Sequence, residues 1–142
     1  MNDNVKDLKK AKRSDLVRIL VADDSELSRQ TIVTILEEEG FNVVAQANSA
    51  EAAMQQIFTS AANVFLIDVV MPEVSGIELA NTIRDNAKDP HIIMMSTLDI
   101  ENVIIESVSS GAVDFLTKPF EKSELLKSIE KVEYEIEKEA RA

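Results

Sequence analysis

The hydrophobic positions of this chain fall into short runs that alternate with longer amphipathic stretches from Arg18 onward. Uniformly apolar runs, rather than alternating ones, are typical of strands that are covered on both faces, as in a parallel sheet. Five such runs are predicted to be strands: Ile19–Ala22, Val43–Ala45, Val64–Ile67, Ile92–Met95 and Phe115–Leu116.

Helical stretches separate these strands. The first, near residues 26–39, has Ile32, Ile35 and Leu36 on one face and ends at Gly40. The second, near residues 50–60, is predicted to have four apolar residues on one face: Ala53, Met54, Ile57 and Phe58. Three more helices are predicted to begin near Ser75, Ile100 and Lys122. Five strands interleaved with five helices predict an α/β fold, a doubly wound parallel sheet with right-handed crossovers.

The last helix carries one apolar stripe, at Leu125, Ile129, Val132 and Ile136. This spacing is typical of a helix with a single apolar face. We expect that face to pack on the sheet, in preference to forming a coiled-coil stub.

Polar residues interrupt the apolar strands at their carboxyl ends, where open α/β sheets bind ligands. They are Asp23 and Asp24 after strand 1, Asp68 after strand 3, Ser96 and Thr97 after strand 4, and Lys118 after strand 5. Strand 2 ends in Ala47 and Asn48 and offers no charge. This asymmetry predicts the flavodoxin-like strand order 2-1-3-4-5, with strand 2 at an outer edge.

Each of these residues also has an ordinary interpretation. Asp23, Asp24 and Ser25 suit helix caps, and Lys118 before Pro119 suits a turn. Their joint placement favours a site. Three carboxylates in a small volume raise one another's pKa unless a cation lies among them. An all-oxygen acidic cluster suits Mg²⁺. With Lys118 and the Ser96 hydroxyl opposite, the cluster predicts a phosphoryl site in which Asp68 is the nucleophile.

Composition narrows the function further. The 142 residues include no cysteine, which excludes thiol chemistry, and one histidine, His91, which excludes a multi-histidine metal site. The net charge of −11 and the aromatic content of 4% disfavour nucleic acid as a partner. The apolar runs are too short for membrane insertion or a signal peptide. We therefore expect a soluble, cytoplasmic protein.

The first 17 residues differ from the rest in charge, because they hold five of the 15 basic residues: Lys6, Lys9, Lys10, Lys12 and Arg13. We expect a basic N-terminal arm over residues 1–17, a domain over residues 18–137, and the end of the last helix at residues 138–142. The arm is either a solvated terminus or a docking segment that returns to the acidic body, and the sequence leaves both open.

Residues 18–137 resemble the receiver domain of two-component response regulators. Four motifs carry the resemblance in matching order and spacing: residues 22–25 (ADDS), residues 67–72 (IDVVMP) with Gly76, residues 93–96 (IMMS) and residues 111–120 (GAVDFLTKPF). The stretch Ser96-Thr97-Leu98 and the last motif are similar to receivers of the chemotaxis branch.

The resemblance implies a role for each matching position. Asp68 would be the phosphoacceptor, and Mg²⁺ would be held by Asp23, Asp24, Asp68 and the backbone carbonyl of Val70. Ser96 and Phe115 would be the switch residues, and Lys118, before a cis bond to Pro119, would contact the phosphoryl group. The pattern departs from the commonest one at Thr97, which is bulkier than usual beside the acceptor, and at Val70, which is often polar.

The resemblance also implies partners: a sensor histidine kinase or histidine phosphotransfer protein as the phosphoryl donor, and a downstream protein target. The target would contact a face formed by helix 4, strand 5 and helix 5, with Ile104, Phe115 and Leu126. Only self-catalysed phosphoryl transfer and autodephosphorylation are expected, in a monomer or weak dimer.

Three alternatives remain. The protein could instead be a phosphate carrier or sink in a phosphorelay, or a phosphorylation-independent adaptor, although the adaptor would be expected to have lost an acid, the hydroxyl or the lysine. An aspartyl phosphohydrolase would need an Asp-x-Asp pair that Asp68-Val69-Val70 does not supply.

Overall fold

The computed structural model describes residues 13–97 and 101–142. The described residues form five strands: β1 (Arg18–Ala22), β2 (Asn42–Ala47), β3 (Val64–Asp68), β4 (His91–Ser96) and β5 (Ala112–Thr117). They also form five helices: α1 (Glu26–Glu38), α2 (Ala50–Gln56), α3 (Gly76–Asn86), α4 (Glu101–Ser109) and α5 (Lys122–Arg141). The strands make one parallel sheet in the order β2-β1-β3-β4-β5, which confirms the predicted fold class and strand order.

Two apolar layers cover the sheet. On one face α1 and α5 bury Ile32, Leu36, Leu125 and Ile129 against strand residues such as Leu66. On the other face the buried residues include Ala53 of α2, Leu79 and Ile83 of α3, and Phe65 and Ile67 of β3. Because β3 is covered on both faces, all five of its residues are buried, including Asp68 at its carboxyl end.

Side chains fix where the helices begin. Ser25, Ser49 and Ser75 cap α1, α2 and α3, and each side chain accepts a hydrogen bond from a backbone N–H in the first turn. A reciprocal pair of hydrogen bonds between Glu121 and Glu124 caps α5. These caps satisfy N–H groups that have no partner within the helix.

The α5 stripe is buried as predicted: Leu125, Ile129, Val132 and Ile136 are at most 7% exposed. The prediction for Phe58 is wrong, since its side chain is 72% exposed. Helix α2 ends at Gln56, so Phe58 lies in the turn that follows and no longer shares the buried face of Ala53. Strand β5 is longer than predicted because its first residues include the exposed Val113 and the charged Asp114, which interrupt the apolar run.

Arg13 joins the segment before β1 to two distant parts of the fold. Its guanidinium lies 4.5 Å from the centre of the Phe41 ring and donates a hydrogen bond to the Glu39 carbonyl at 3.1 Å. It also forms ion pairs with Glu130 at 2.9 Å and Glu133 at 3.3 Å on α5. Of the predicted basic arm, the four lysines lie outside the described residues, as does Ile100 before α4. No helix in the described ranges is long and apolar enough to cross a membrane.

Candidate functional site

Three carboxylates meet at the carboxyl edge of the sheet. Asp23 and Asp24 follow β1 and Asp68 ends β3, and each places a carboxylate oxygen within 4.8 Å of the others. Asp23 is fully buried and Asp68 is 8% exposed, whereas Asp24 is exposed to solvent. The structure therefore brings together the three acids that the sequence grouped, at the switch point between β1 and β3.

The Lys118 ammonium lies between two of these acids. Its Nζ is 2.6 Å from Asp23 Oδ2 and 2.9 Å from Asp68 Oδ2. Its third partner is Ser28 Oγ on α1, at 3.0 Å. A lysine ammonium has three N–H donors, so these contacts use all of them.

Hydrogen bonds also fix each carboxylate. Asp23 Oδ1 accepts from the Ser25 backbone N–H at 2.9 Å, and Oδ2 accepts from the Ser28 hydroxyl at 2.7 Å. Arg29 donates to the Asp23 carbonyl at 2.7 Å. Asp68 Oδ1 accepts from the Val70 backbone N–H at 3.0 Å. The side chain of Val70 is 51% exposed and offers the site no polar atom, as the sequence indicates.

The two buried acids have opposite electrostatic balances. Burial raises the pKa of Asp23, but hydrogen bonds from Lys118, Ser28 and Ser25 outweigh it, so its pKa lies below the ordinary value of 3.8. For Asp68, burial outweighs the hydrogen bond from Lys118, and the charge of Asp23 adds to it, so its pKa lies above 3.8. Burial lowers the pKa of Lys118, yet its hydrogen bonds to both acids raise it overall, which keeps the lysine charged.

Gly76 allows α3 to begin in close contact with the backbone of Asp68. A Cβ at this position would lie 2.2 Å from the Asp68 carbonyl oxygen and 2.8 Å from Val69 Cα. The Gly76 N–H donates to the Val69 carbonyl at 2.8 Å, and the Val69 N–H donates to Met95 on β4 at 2.8 Å. The start of α3 therefore packs directly on the segment that follows Asp68.

The remaining predicted residues lie on β4, on β5 and in the segments that follow these two strands. Ser96 is fully buried at the end of β4, and its carbonyl accepts from the Lys118 backbone N–H at 2.8 Å. Thr97 is exposed and lines a groove together with Lys118. Phe115 is partly buried on the α2–α3 side of the sheet, next to Met94 in register. The peptide bond between Lys118 and Pro119 is cis.

The structure divides the proposed output residues between the two faces of the sheet. Phe115 packs with the α2–α3 layer, whereas Leu126 packs with the α1–α5 layer; Ile104 on α4 is partly buried. Other apolar side chains nearby are more exposed and were not singled out from the sequence: Ile105 at 54%, Val108 at 60% and Val113 at 58%.

Sequence reasoning missed Ser28, which contacts both Asp23 and Lys118. A signal was present, since Ser28 lies four and seven residues before Ile32 and Ile35 and so continues their apolar stripe. A polar residue on a stripe that faces the core needs a partner.

The chain is an α/β domain with three acids and a lysine at the carboxyl edge of its parallel sheet, and comparison with known proteins identifies the family to which it belongs. The model of the response regulator receiver domain matches residues 19–130, so the chain belongs to the response regulator receiver family. The chemotaxis protein CheY of Bacillus subtilis is 33% identical over 114 residues, which cover 80% of this chain and 95% of that protein.

Solved structures agree with this assignment. A CheY-like receiver domain protein from Methanospirillum hungatei superposes with a TM-score of 0.82 at 28% identity, covering 88% of this chain and 99% of that one. The CheY of a CheX–CheY–BeF₃–Mg²⁺ complex from Borrelia burgdorferi gives a TM-score of 0.81 at 25% identity, covering 87% and 97% of the two chains. The receiver assignment made from the sequence motifs is confirmed.

Proposed function

We propose that this protein is a response regulator in which Asp68 accepts a phosphoryl group from a phosphohistidine of a partner kinase, with Mg²⁺ bound beside it. The observation that carries the proposal is the Lys118 ammonium, 2.9 Å from Asp68 Oδ2 and next to two further carboxylates. A structural ion pair would need one acid, whereas Lys118 contacts two acids here and a third, Asp24, lies beside them.

The donor set fits a hard divalent cation. Every side-chain group in the cluster of Asp23, Asp24 and Asp68 is a carboxylate, and Mg²⁺ prefers oxygen ligands with several waters retained. We propose these three residues and the Val70 backbone carbonyl as its ligands. When bound, the cation would offset the charge that otherwise opposes the approach of a phosphoryl donor. The Borrelia relative was solved with BeF₃ and Mg²⁺, which supports the same chemistry in this chain.

Asp68 would act as the nucleophile. One Asp68 Oδ would form a bond to phosphorus while the bond from phosphorus to the donor's imidazole nitrogen breaks. The Val70 N–H, which already donates to Asp68 Oδ1, would orient the carboxylate. Lys118 and the Ser96 hydroxyl would stabilise the charge on the phosphoryl oxygens.

We propose that the donor protein approaches along the groove between α1 and the residues after β5. This groove of about 360 Å³ is lined by apolar side chains such as Ile32, Ile35 and Phe120, and it opens onto Thr97 and Lys118. Leu27, next to Ser28 on α1, is 79% exposed. An apolar surface beside the acceptor is what a helix carrying a phosphohistidine needs for docking.

The signal would leave through α4, β5 and α5. Among the described residues of α4, Ser107 alone is buried, and its hydroxyl bonds only to the Val103 carbonyl of its own helix, at 2.7 Å. A helix with a single buried side chain among its described residues is suited to a two-state shift. Ser96 would move toward the phosphoryl group, Phe115 would turn inward, and a protein target would read the altered face, in chemotaxis or a related pathway.

Phosphorylation of the purified protein with acetyl phosphate tests the proposal. With Mg²⁺ the protein should gain one acid-stable, base-labile phosphoryl group, measured by intact mass. Asp68→Asn, which keeps the volume and removes the nucleophile, should abolish the gain. Asp85→Asn is the matched control, because Asp85 is exposed and pairs with Arg84 on α3, away from the site. Labelling that persists in Asp68→Asn, or that is equally fast without divalent cation, would refute the proposal.

A further inference from the structure

Ser28 is the one polar contact of the Lys118 ammonium that comes from neither buried acid. Its hydroxyl donates to Asp23 Oδ2 at 2.7 Å and accepts from Lys118 Nζ at 3.0 Å. A hydroxyl has one donor and two acceptor sites, so both contacts can form together. Lys118, Asp23 and Ser28 therefore form a closed ring of three hydrogen bonds.

The position of Ser28 is itself fixed by the start of α1. Its backbone N–H donates to the Ser25 cap at 3.2 Å. One residue further along, Arg29 binds the carbonyl of Asp23 at 2.7 Å. The ring thus rests on the rigid first turn of a helix rather than on a loop.

We propose that Ser28 is a positioning residue for Lys118, which keeps the ammonium beside Asp23 and directs its remaining N–H toward Asp68. The inference rests on the proposed role of Lys118 at the phosphoryl group. Lysine is a point charge on a flexible four-carbon stem, so a single contact leaves its N–H directions free to rotate. Contacts to both Asp23 and Ser28 define two of the three N–H directions, and the geometry of the ammonium then defines the third.

The role matters most at the moment of transfer. When Asp68 forms a bond to phosphorus, the carboxylate that held one N–H becomes an acyl phosphate, and Lys118 must bind the new oxygens instead. With Ser28 present, the ammonium keeps two of its three contacts during this change. Without Ser28 it keeps only the contact to Asp23, and its position must be found again in each event, which slows transfer.

Thr82 supplies a matched control on α3. Its hydroxyl donates to the Glu78 carbonyl of its own helix at 3.1 Å. Thr82→Ala therefore removes a helix hydroxyl without touching the ring or the groove proposed for the donor.

The test compares initial rates of phosphorylation by acetyl phosphate at saturating Mg²⁺. Hydrogen bonds to charged groups support an expected loss of about tenfold in Ser28→Ala. Ser28→Thr, which restores the hydroxyl, should return the rate to within about twofold of wild type, and Thr82→Ala should leave it at the wild-type value. In a Lys118→Ala background, Ser28→Ala should have no further effect, because Ser28 acts through the lysine. An undiminished rate in Ser28→Ala, a failure of Ser28→Thr to restore it, or a full effect in the Lys118→Ala background would overturn the inference.

A second measurement separates this inference from the proposed function. The ¹⁵Nζ–¹H signal of the Lys118 ammonium, recorded without phosphodonor, should be visible in wild type and broadened by faster exchange in Ser28→Ala. If wild type is not labelled at Asp68, the proposed function fails whatever Ser28 does. If wild type is labelled and Ser28→Ala keeps both its rate and a sharp ammonium signal, only the role of Ser28 fails.

Discussion

Replacing Gly76 by alanine should destabilise the protein and displace Asp68, the proposed phosphoacceptor. The added Cβ would lie 2.2 Å from the Asp68 carbonyl oxygen and 2.8 Å from Val69 Cα. Both atoms belong to backbone, so no side chain can rotate away to make room. The Asp68–Val69 peptide or the first turn of α3 must move.

The size of the effect follows from that contact. Overpacking in a close-packed interior costs about 1–3 kcal/mol, and a backbone clash more than 1 Å inside ordinary contact belongs at the upper end. We expect a loss of about 3 kcal/mol. For a domain of this size, that corresponds to a fall in Tm of roughly 10 °C.

Gly111→Ala is the matched control. Gly111 has φ +99°, where alanine is strained by about 1–2 kcal/mol, but its Cβ would meet only the flexible Arg84 side chain, at 3.3 Å. Thermal unfolding should show the larger fall for Gly76→Ala, and acetyl phosphate labelling of the folded protein should slow for Gly76→Ala alone. A Tm for Gly76→Ala within about 2 °C of wild type, or equal labelling rates in both variants, would refute the reasoning.

Three further predictions concern charge. Asp68→Asn should raise the Tm at pH 7, because the raised pKa of Asp68 means that its ionisation destabilises the folded protein; this cost fades as the pH falls toward 3.8. Asp23→Asn should lower the Tm at pH 7, because the lowered pKa of Asp23 means that its charge stabilises the folded protein above pH 3.8; this contribution is lost below that pH. Equal signs in thermal melts from pH 3 to 7 would contradict this assignment. Millimolar Mg²⁺ should stabilise the wild-type protein by about 2.7 kcal/mol at a hundredfold excess over Kd and so raise its Tm. The Tm of Asp24→Ala should rise much less, and an equal rise in both proteins would argue against the metal site. Arg13→Ala should cost about 1 kcal/mol in urea unfolding, because it loses a ring contact and two partly exposed ion pairs, and unchanged stability would show that the segment before β1 is not anchored.

The sequence predicts best those elements whose apolar residues form a clear pattern and those residues whose neighbours follow from the parallel arrangement of the strands. Apolar runs locate β1, β3 and β4, because a strand that is covered on both faces is apolar at nearly every position. The same parallel arrangement brings the carboxyl ends of these strands together, so Asp23, Asp68 and Lys118 could be grouped although they are far apart in the chain. Edge elements are harder, since β5 has a solvent side and α2 ends at Gln56, before its apolar stripe does.

Contacts that depend on three-dimensional detail could not be predicted. The hydroxyl of Ser28 matters because the turn capped by Ser25 aims it at Lys118, and spacing alone shows only a polar residue on an apolar stripe. Gly76 belongs to a recognised motif, yet its physical reason, the approach of α3 to the Asp68 carbonyl, appears only in the packed structure. Arg13 joins residues more than 90 positions apart in the chain, and no local pattern announces such a contact.

The electrostatics of the site explain why a phosphoryl group would act as a signal and not merely as a modification. The cluster holds three carboxylates and one ammonium, so its side chains carry a net negative charge, and Asp68, whose pKa is raised by burial and further by the charge of Asp23, is the least favourable of them to ionise. A divalent cation would balance that excess, and transfer of a phosphoryl group would then restore negative charge on oxygens that lie farther from Asp23. Lys118 keeps its contact with Asp23 Oδ2, so the phosphoryl oxygens would attract a second hydrogen-bond donor. Ser96, fully buried at the end of β4 and adjacent to β5, is placed to supply it. Since β4 pairs with the strand that carries Phe115, the proposed movement of Ser96 would change the surface beside α4, the described helix with the fewest buried residues.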